Sequence, residues 1–395
     1  MRGMEDKPLR RDLARQRPRR LRYSSRLDEL FFQVAIVLGF ALGLAVTLLR
    51  DEVLPDQFNR DANRIYNIAS GRVPDFTDRS YTPVGIVYRW IGLGDAPTAA
   101  AIVGYLAASA VILLALFRTG RRTASLPVAL YIVSAFLLSS IYLGQYSKDV
   151  FVLIPVVLLI SLPRRVWWDV VGVGAMLLYA YFFRDYWAIV AIAYAAYRLI
   201  TLWQARIRYL LAGGALASVA VGMAFFIALG VDPNHYRTVV QGHLNANTLI
   251  IPLEPVAQPL GGAVDVFVNY WLLYLPVLLP FTASIAYIVV MLGIGLVKLF
   301  PLLAARSEVR WPSRSTLDGS LARRALSLIL AVGVVQAVFE PDYGSALRHF
   351  TPLMPLALVL MQSLRSGRLR AGRAPAWNWS GDSTRDVEVS TIGSR

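Results

Sequence analysis

The chain has 395 residues, 56% of them hydrophobic and 16% charged, with a formal net charge of +15 and no cysteine. A soluble domain of this length carries far more surface charge, so the composition calls for a bilayer as solvent. The lack of cysteine excludes disulfides, thiolate catalysts and Cys-ligated metals. In lipid every backbone polar group must be satisfied internally, and the apolar runs are unbroken rather than alternating. Barrels drop out, and an all-α polytopic helical bundle remains.

In chain order, residues 1–30 form a polar tail rich in arginine, including Arg10, Arg15, Arg20 and Arg26. No small-residue cleavage site follows it, so it reads as a retained cytoplasmic tail. A first apolar run covers 31–49, long enough to cross a core roughly 30 Å thick. Further runs lie at 97–117, 125–144, 148–163, 167–183, 187–203, 209–230, 278–303, 325–340 and 350–364. Together they give about ten transmembrane helices in a domain spanning 31–365. The run at 148–163 is short, which calls for an earlier start or a tilt. Before 278–303, the aromatic segment 264–275 (Phe267, Tyr270, Trp271, Tyr274) leads to Pro276 and Pro280 and reads as an interfacial helix, with a re-entrant pair as the alternative. Residues 366–395 have no apolar run and read as a disordered cytoplasmic tail.

Orientation follows from lysine and arginine in alternate connections. The tail, Arg118/Arg121/Arg122, Arg164/Arg165, Arg206/Arg208, the segment 306–324 and Arg365 to Arg373 are all basic. In 50–95, 144–149, 184–186, 231–265 and 340–349, acids balance or outnumber bases. The first set belongs in the cytoplasm with both termini; the second faces out, with outer loops at 50–96, 231–277 and 340–350. The net charge therefore reflects topology and attraction to anionic lipid of the bilayer rather than a nucleic-acid partner.

The outer connections hold all three histidines, His235, His243 and His349, together with Lys148, Arg184, Asp185, Arg237, Glu340, Asp342 and Arg348. Charges at such depth are costly unless paired or facing a wet cavity, so convergence on one cavity is the functional reading, and snorkelling near helix ends the ordinary one. In the first loop, Ile65, Ile68 and Ala69 recur at helical spacing. They predict an amphipathic helix on the membrane that presents Asp61, Arg64 and Tyr66 to water, with Asp61 also able to cap it. Asp149 reads either as an ordinary helix-start dipole partner or as a site residue. Arg184 and Asp185 read as an adjacent ion pair or an anion-facing arginine. His235, Arg237 and His243 offer donors for phosphate or sugar oxygens, and no third or fourth ligand at known spacing completes a metal site. Arg348 and His349 stand just before a proline-bearing helix start, where an anion is favoured.

These pieces resemble a family. Asp51-Glu52 after the first span, Asp61 to Tyr66, Ser147-Lys148-Asp149 and Arg348-His349-Phe-Thr-Pro352-Leu-Met-Pro355 look like Wzy-like O-antigen or exopolysaccharide polymerases, which are related to GT-C type membrane glycosyltransferases. The resemblance implies a bacterial cytoplasmic (inner) membrane enzyme that joins polyprenyl-pyrophosphate-linked oligosaccharides at the outer face. It also implies an export or chain-length partner, and no cofactor or metal. On these positions it implies Lys148, Arg184, Arg237 and Arg348 as pyrophosphate ligands, Arg64 and Tyr66 as substrate contacts, and His349, His235 or Asp61 as general base. Asp51-Glu52 competes with Asp61 as the acidic motif. A transferase adding single sugars from a polyprenyl-phosphate donor is the nearest alternative. A secondary transporter or flippase is another, against which stand the absence of an internal repeat and sparse mid-span polarity, Gln336 being the clearest case.

Overall fold

The computed structural model describes residues 9–74, 80–163, 165–202, 206–241, 249–250, 259–274, 293, 295–306 and 317–371. Among them the main elements are helices: α1 (Leu9–Leu48), α2 (Arg60–Ala69), α3 (Thr82–Trp90), α4 (Pro97–Arg118), α5 (Leu126–Tyr142), α6 (Leu153–Ser161), α7 (Asp169–Phe182), α8 (Trp187–Leu202), α9 (Ile207–Leu229), α10 (His235–Gln241), α11 (Leu260–Leu272), α12 (Phe300–Arg306), α13 (Leu317–Phe339), α14 (Tyr343–Phe350) and α15 (Met354–Ala371). Arg26–Leu48, Pro97–Arg118, Ile207–Leu229 and Gly319–Phe339 are long and apolar enough to cross a membrane, and three shorter apolar helices accompany them. The architecture is that of a multi-pass helical membrane protein.

Most apolar runs coincide with a helix. The short run at 148–163 divides into a 3-10 turn, Lys148–Val152, and α6. The basic tail is helical from Leu9 and continuous with the first span. α15 continues to Ala371, past the expected start of the C-terminal tail, and 372–395 lie outside the described residues, as does most of the run at 278–303.

α13 is the axis. Its apolar stretch is buried along its whole length, whereas 28% of the equivalent stretch is buried in α1 and in α9. α8, α9, α11 and α15 pack around α13, α15 meets α4 and α5, and α1 lies against α4 and α5. The outer helices display Val37 and Leu42 of α1 and Leu216 and Ile227 of α9. Such side chains are stable at the periphery only against lipid.

The aromatic segment expected at the headgroup boundary packs one face into the bundle and leaves Val264 and Phe267 exposed. α11 packs along α9 and α13, Asn269 donates from Nδ2 to the Ala337 carbonyl at 2.7 Å, and Tyr270 and Tyr274 are buried. Glycines on the facing helices make the space: a Cβ at Gly333 would stand 1.7 Å from the Tyr274 hydroxyl, and one at Gly214 2.2 Å from that of Tyr270. The rings of Tyr270 and Tyr274 are enclosed by protein, while both hydroxyls are buried without a hydrogen-bond partner.

At one end of the bundle a buried ion cluster ties three helices. Asp169, opening α7, accepts from Arg198 Nε (2.8 Å) on α8 and from Arg324 Nε (2.5 Å) on α13. Arg324 also donates to the carbonyls of Leu162 (2.9 Å) and Pro163 (2.7 Å), leaving its guanidinium satisfied by protein. These partners close the end of α6, where helix carbonyls lack intrahelical donors.

Candidate functional site

The opposite end of the bundle collects residues from four connections, and each is positioned by local structure. α2 buries Ala62, Ile65, Ile68 and Ala69, packing chiefly on Val84 and Tyr88 of α3, which leaves Asp61 and Arg64 on its other side. Asp61 lies in the first turn of α2, where the helix dipole favours a carboxylate. The Ser147 hydroxyl accepts the Asp149 N–H at 3.1 Å and so starts the turn that carries Lys148 and Asp149. Asp342 accepts the Ser345 N–H at 2.8 Å, capping α14, whose last turn carries Arg348 and His349.

Arg50 fixes the frame between them. It donates to Asn59 Oδ1 (2.8 Å), the Ile141 carbonyl (2.9 Å) and Gln145 Oε1 (2.6 Å), joining the first loop to the end of α5. A guanidinium suits the carbonyl-rich end of a helix. Close beside it, a Cβ at Gly104 would stand 2.2 Å from the Leu143 carbonyl, so α4 approaches this turn backbone to side.

One chain of charge-assisted bonds runs through the site. Asp61 accepts the Tyr81 hydroxyl at 2.9 Å and Arg348 Nη1 at 2.5 Å. Arg348 Nε continues to Asp149 at 2.8 Å, and the other Asp149 oxygen takes Arg184 Nη2 at 2.8 Å. Arg184 Nη1 meets the Tyr186 hydroxyl and, at 2.6 Å, His349 Nε2; His349 Nδ1 meets Glu340. A guanidinium only donates, so His349 Nε2 accepts and its Nδ1 carries the proton toward the Glu340 carboxylate. Lys148 is buried with its ammonium 3.9 Å from the centre of the Tyr81 ring, and exposed Arg64 stands 5.2 Å from the same ring.

Electrostatically the site leans positive: Arg64, Lys148, Arg184 and Arg348 face Asp61, Asp149 and Glu340. Burial alone would raise all three carboxyls, but Arg348 at Asp61, Arg184 at Asp149 and His349 at Glu340 hold each of them below the ordinary carboxylate range. For Lys148 the compensation from Asp61 and Asp149 is outweighed. Burial, then the neighbouring Arg184, lowers it to about 7. At this site three polar atoms, Arg184 Nε, Arg348 Nη2 and Glu340 Oε2, are among those buried without a hydrogen-bond partner in the protein. Buried orphans of this kind are rare and mark a water, an ion or a ligand position.

Beneath the network lies a cavity of about 20 Å³, room for a water or two. Asp149, Glu340, His349 and Gln336 form its polar wall; Trp187 and Phe339 are among its apolar lining. Deeper still, Lys298 is buried in a π-helical turn, Gly295–Leu299, with its ammonium 2.6 Å from Gln336 Oε1.

Of the residues expected at the site, Asp61, Lys148, Arg184, Arg348 and His349 come together, with Arg64 at the rim. Tyr66 packs on Tyr146 at 5.6 Å between centroids and has Arg72 over its face. His235 and Arg237 stand apart. His235 is exposed on α10, and Arg237 is buried in a cluster of its own, donating from Nε to Asn234 at 2.6 Å and facing Asp265 at 3.7 Å. His243 lies outside the described residues. Arg184 does not pair with its neighbour Asp185, which is exposed; its partner is Asp149. Asp51 and Glu52 are exposed as well, so among the described residues Asp61 is the first-loop carboxylate that enters the network.

Tyr81 and Lys298 escaped the sequence reading, and Asp149 and Glu340 stood among its outer-face groups without an assigned role. A lysine inside the apolar run at 278–303 is a usable signal, because an ionisable group in a span marks a site by default. Among the described residues no group of three His, Asp or Glu side chains could hold a metal ion. Comparison with known proteins yields no family model, no curated protein and no solved structure that matches the chain.

Proposed function

We propose that this protein is a membrane glycosyltransferase of the polysaccharide-polymerase type. It joins polyprenyl-diphosphate-linked oligosaccharides at the outer face of a bacterial cytoplasmic membrane, with both termini inside. One observation carries the reading: two arginines, each holding a buried and unpartnered N–H, converge beside a lysine whose charged form burial disfavours. Together these donors fit a phosphate leaving group, whose developing charge arginines stabilise by forked hydrogen bonds. The alternating basic and acidic connections support the orientation.

In such a transfer the acceptor O–H breaks and its proton goes to a base on the protein. The acceptor oxygen bonds to the anomeric carbon. The bond from that carbon to the phosphate oxygen breaks, and its electron pair stays on the phosphate. Arg184, Arg348 and Lys148 neutralise that charge, and no step needs a metal.

The test is elongation of a labelled polyprenyl-diphosphate oligosaccharide by proteoliposomes carrying wild type, Arg348→Lys or Arg184→Lys, each checked for folding by thermal melting. Longer glycan from wild type and at least a hundredfold loss in a folded variant is the expected result, since removing one fixed donor to developing charge costs about 2.7–4 kcal/mol. Addition of one sugar only, from a monophosphate donor, would assign the single-sugar transferase instead.

Lys298 favours a second reading. A buried lysine bonded to Gln336 inside the bundle is the kind of interior polar pair that transporters use. Flux of a lipid-linked sugar across the proteoliposome membrane without any new glycosidic bond would select it.

A further inference from the structure

Arg348 divides its guanidinium three ways. Nε donates to Asp149 at 2.8 Å, Nη1 to Asp61 at 2.5 Å, and Nη2 is buried without a partner. An arginine grips phosphate best through two parallel N–H groups. A parallel grip through Nη2 with Nη1 or with Nε competes with the carboxylate already bonded to that nitrogen.

The two carboxylates are unequal. Asp149 is 2% exposed at its side chain and is held from its other side by Arg184. Asp61 is 29% exposed, sits on the short helix α2, and keeps the Tyr81 hydroxyl when Arg348 leaves. Asp61 is the tie that gives way.

We infer that arrival of the donor's phosphate takes Arg348 from Asp61, and that the Asp61 oxygen so released is the general base for the acceptor hydroxyl. The inference rests on the phosphate-binding reading above and adds an order of events: the base is withheld until the donor is seated. Oδ2 of Asp61 takes the acceptor proton while the acceptor oxygen bonds to the anomeric carbon and the phosphate departs with its electron pair. Losing Arg348 also makes the carboxyl a better proton acceptor, since Arg348 is the strongest of the groups that oppose the upward pull of burial on Asp61. His349 is not available for this task. Its Nε2 accepts from Arg184 and its Nδ1 faces Glu340, so both ring nitrogens are engaged in positioning Arg184.

The order of binding can be read without turnover. Full-length protein is treated with a water-soluble carbodiimide and an amine, with and without inorganic pyrophosphate, and labelling of Asp61 is quantified by peptide mass spectrometry. Binding of the pyrophosphate is measured in parallel by calorimetry. Several-fold more label on Asp61 in the presence of bound pyrophosphate, with Asp149 unlabelled in both states, is the expected result. Tyr81→Phe should label more readily than wild type and still respond to pyrophosphate, because Arg348 remains in place. Bound pyrophosphate that leaves Asp61 labelling unchanged, or protects it, overturns the handover while sparing the phosphate site. Failure of pyrophosphate to bind overturns the phosphate site itself and the handover with it.

Discussion

Asp149 and Arg348 lie 199 positions apart in the chain and meet at 2.8 Å, which joins the turn ahead of α6 to the last connection of the bundle. The same carboxylate holds Arg184 at 2.8 Å, so a single buried anion keeps two cations in place.

Removing that anion should be costly to folding. Asp149→Ala leaves two arginines facing each other in the interior, and breaking a buried pair in this way costs about 3–5 kcal/mol. Thermal melting in detergent should show a clear fall in Tm, larger than that of Asp61→Ala, whose carboxyl is partly exposed. The pH dependence has a definite sign. The folded carboxyl of Asp149 lies below its unfolded value of about 3.9, so its contribution is complete above that pH and is lost as pH falls through the folded value. Melting curves that do not change on acidification below about pH 4 would contradict the pairing.

Lys148 makes the opposite prediction. Its folded value is about 7, well below the unfolded value of about 10.4. Folding therefore disfavours its charged form. The penalty is absent above the unfolded value and complete below about 7. Lys148→Met should accordingly raise Tm at neutral pH and leave it unchanged at the most alkaline pH. The same variant should bind pyrophosphate more weakly. Wild-type affinity should fall as pH rises above about 7, more steeply than that of the variant, a difference that isolates the lysine from the ionisation of the ligand.

Gly104 and Gly174 form a contrast within apolar helices. A Cβ on Gly104 meets the Leu143 carbonyl, a backbone atom that cannot rotate away, whereas a Cβ on Gly174 meets nothing within 4 Å. Gly104→Ala should destabilise by about 1–3 kcal/mol through overpacking, and Gly174→Ala should stabilise by about 0.4–1 kcal/mol through a less flexible unfolded chain. Equal melting temperatures for the two variants would count against the close approach of α4.

The cluster at the other end should separate stability from binding. Asp169→Asn weakens the tie between α7, α8 and α13 by leaving Arg198 and Arg324 without their carboxylate. A lower Tm with an unchanged Kd for pyrophosphate is expected of the folded protein. A large change in Kd would mean that the two ends are one functional unit.

Helix placement was largely legible in the chain because apolar length alone dictates it, and most expected runs coincide with helices. The helix α2 was equally plain, since Ile65 and Ile68 recur at helical spacing, but its apolar face packs on Val84 and Tyr88 rather than on the membrane, and Asp61 turns to Arg348 rather than to water. Pairings were not legible. Asp149 reads equally as a dipole partner and as a site residue until Arg348 is brought to it across the bundle, and Arg184 reads as the partner of Asp185 or as an anion-facing arginine until Asp149 is seen to hold it. The insertion of α11 depends on glycines at 214 and 333, whose significance lies in the rings that face them. Lys298 is the exception, a charge in an apolar run whose meaning was readable and missed.

α13 is enclosed by protein along its apolar length and joins Arg324 of one ion cluster to Gln336 and, just beyond its end, Glu340 of the other. A helix with no lipid face has no reason to tilt when the bilayer thickens or thins, so mismatch falls on peripheral helices such as α1 and α9. The separation between the two clusters is then a property of the protein alone, and the end that holds Arg348 and Asp149 keeps its depth and geometry in membranes of different thickness.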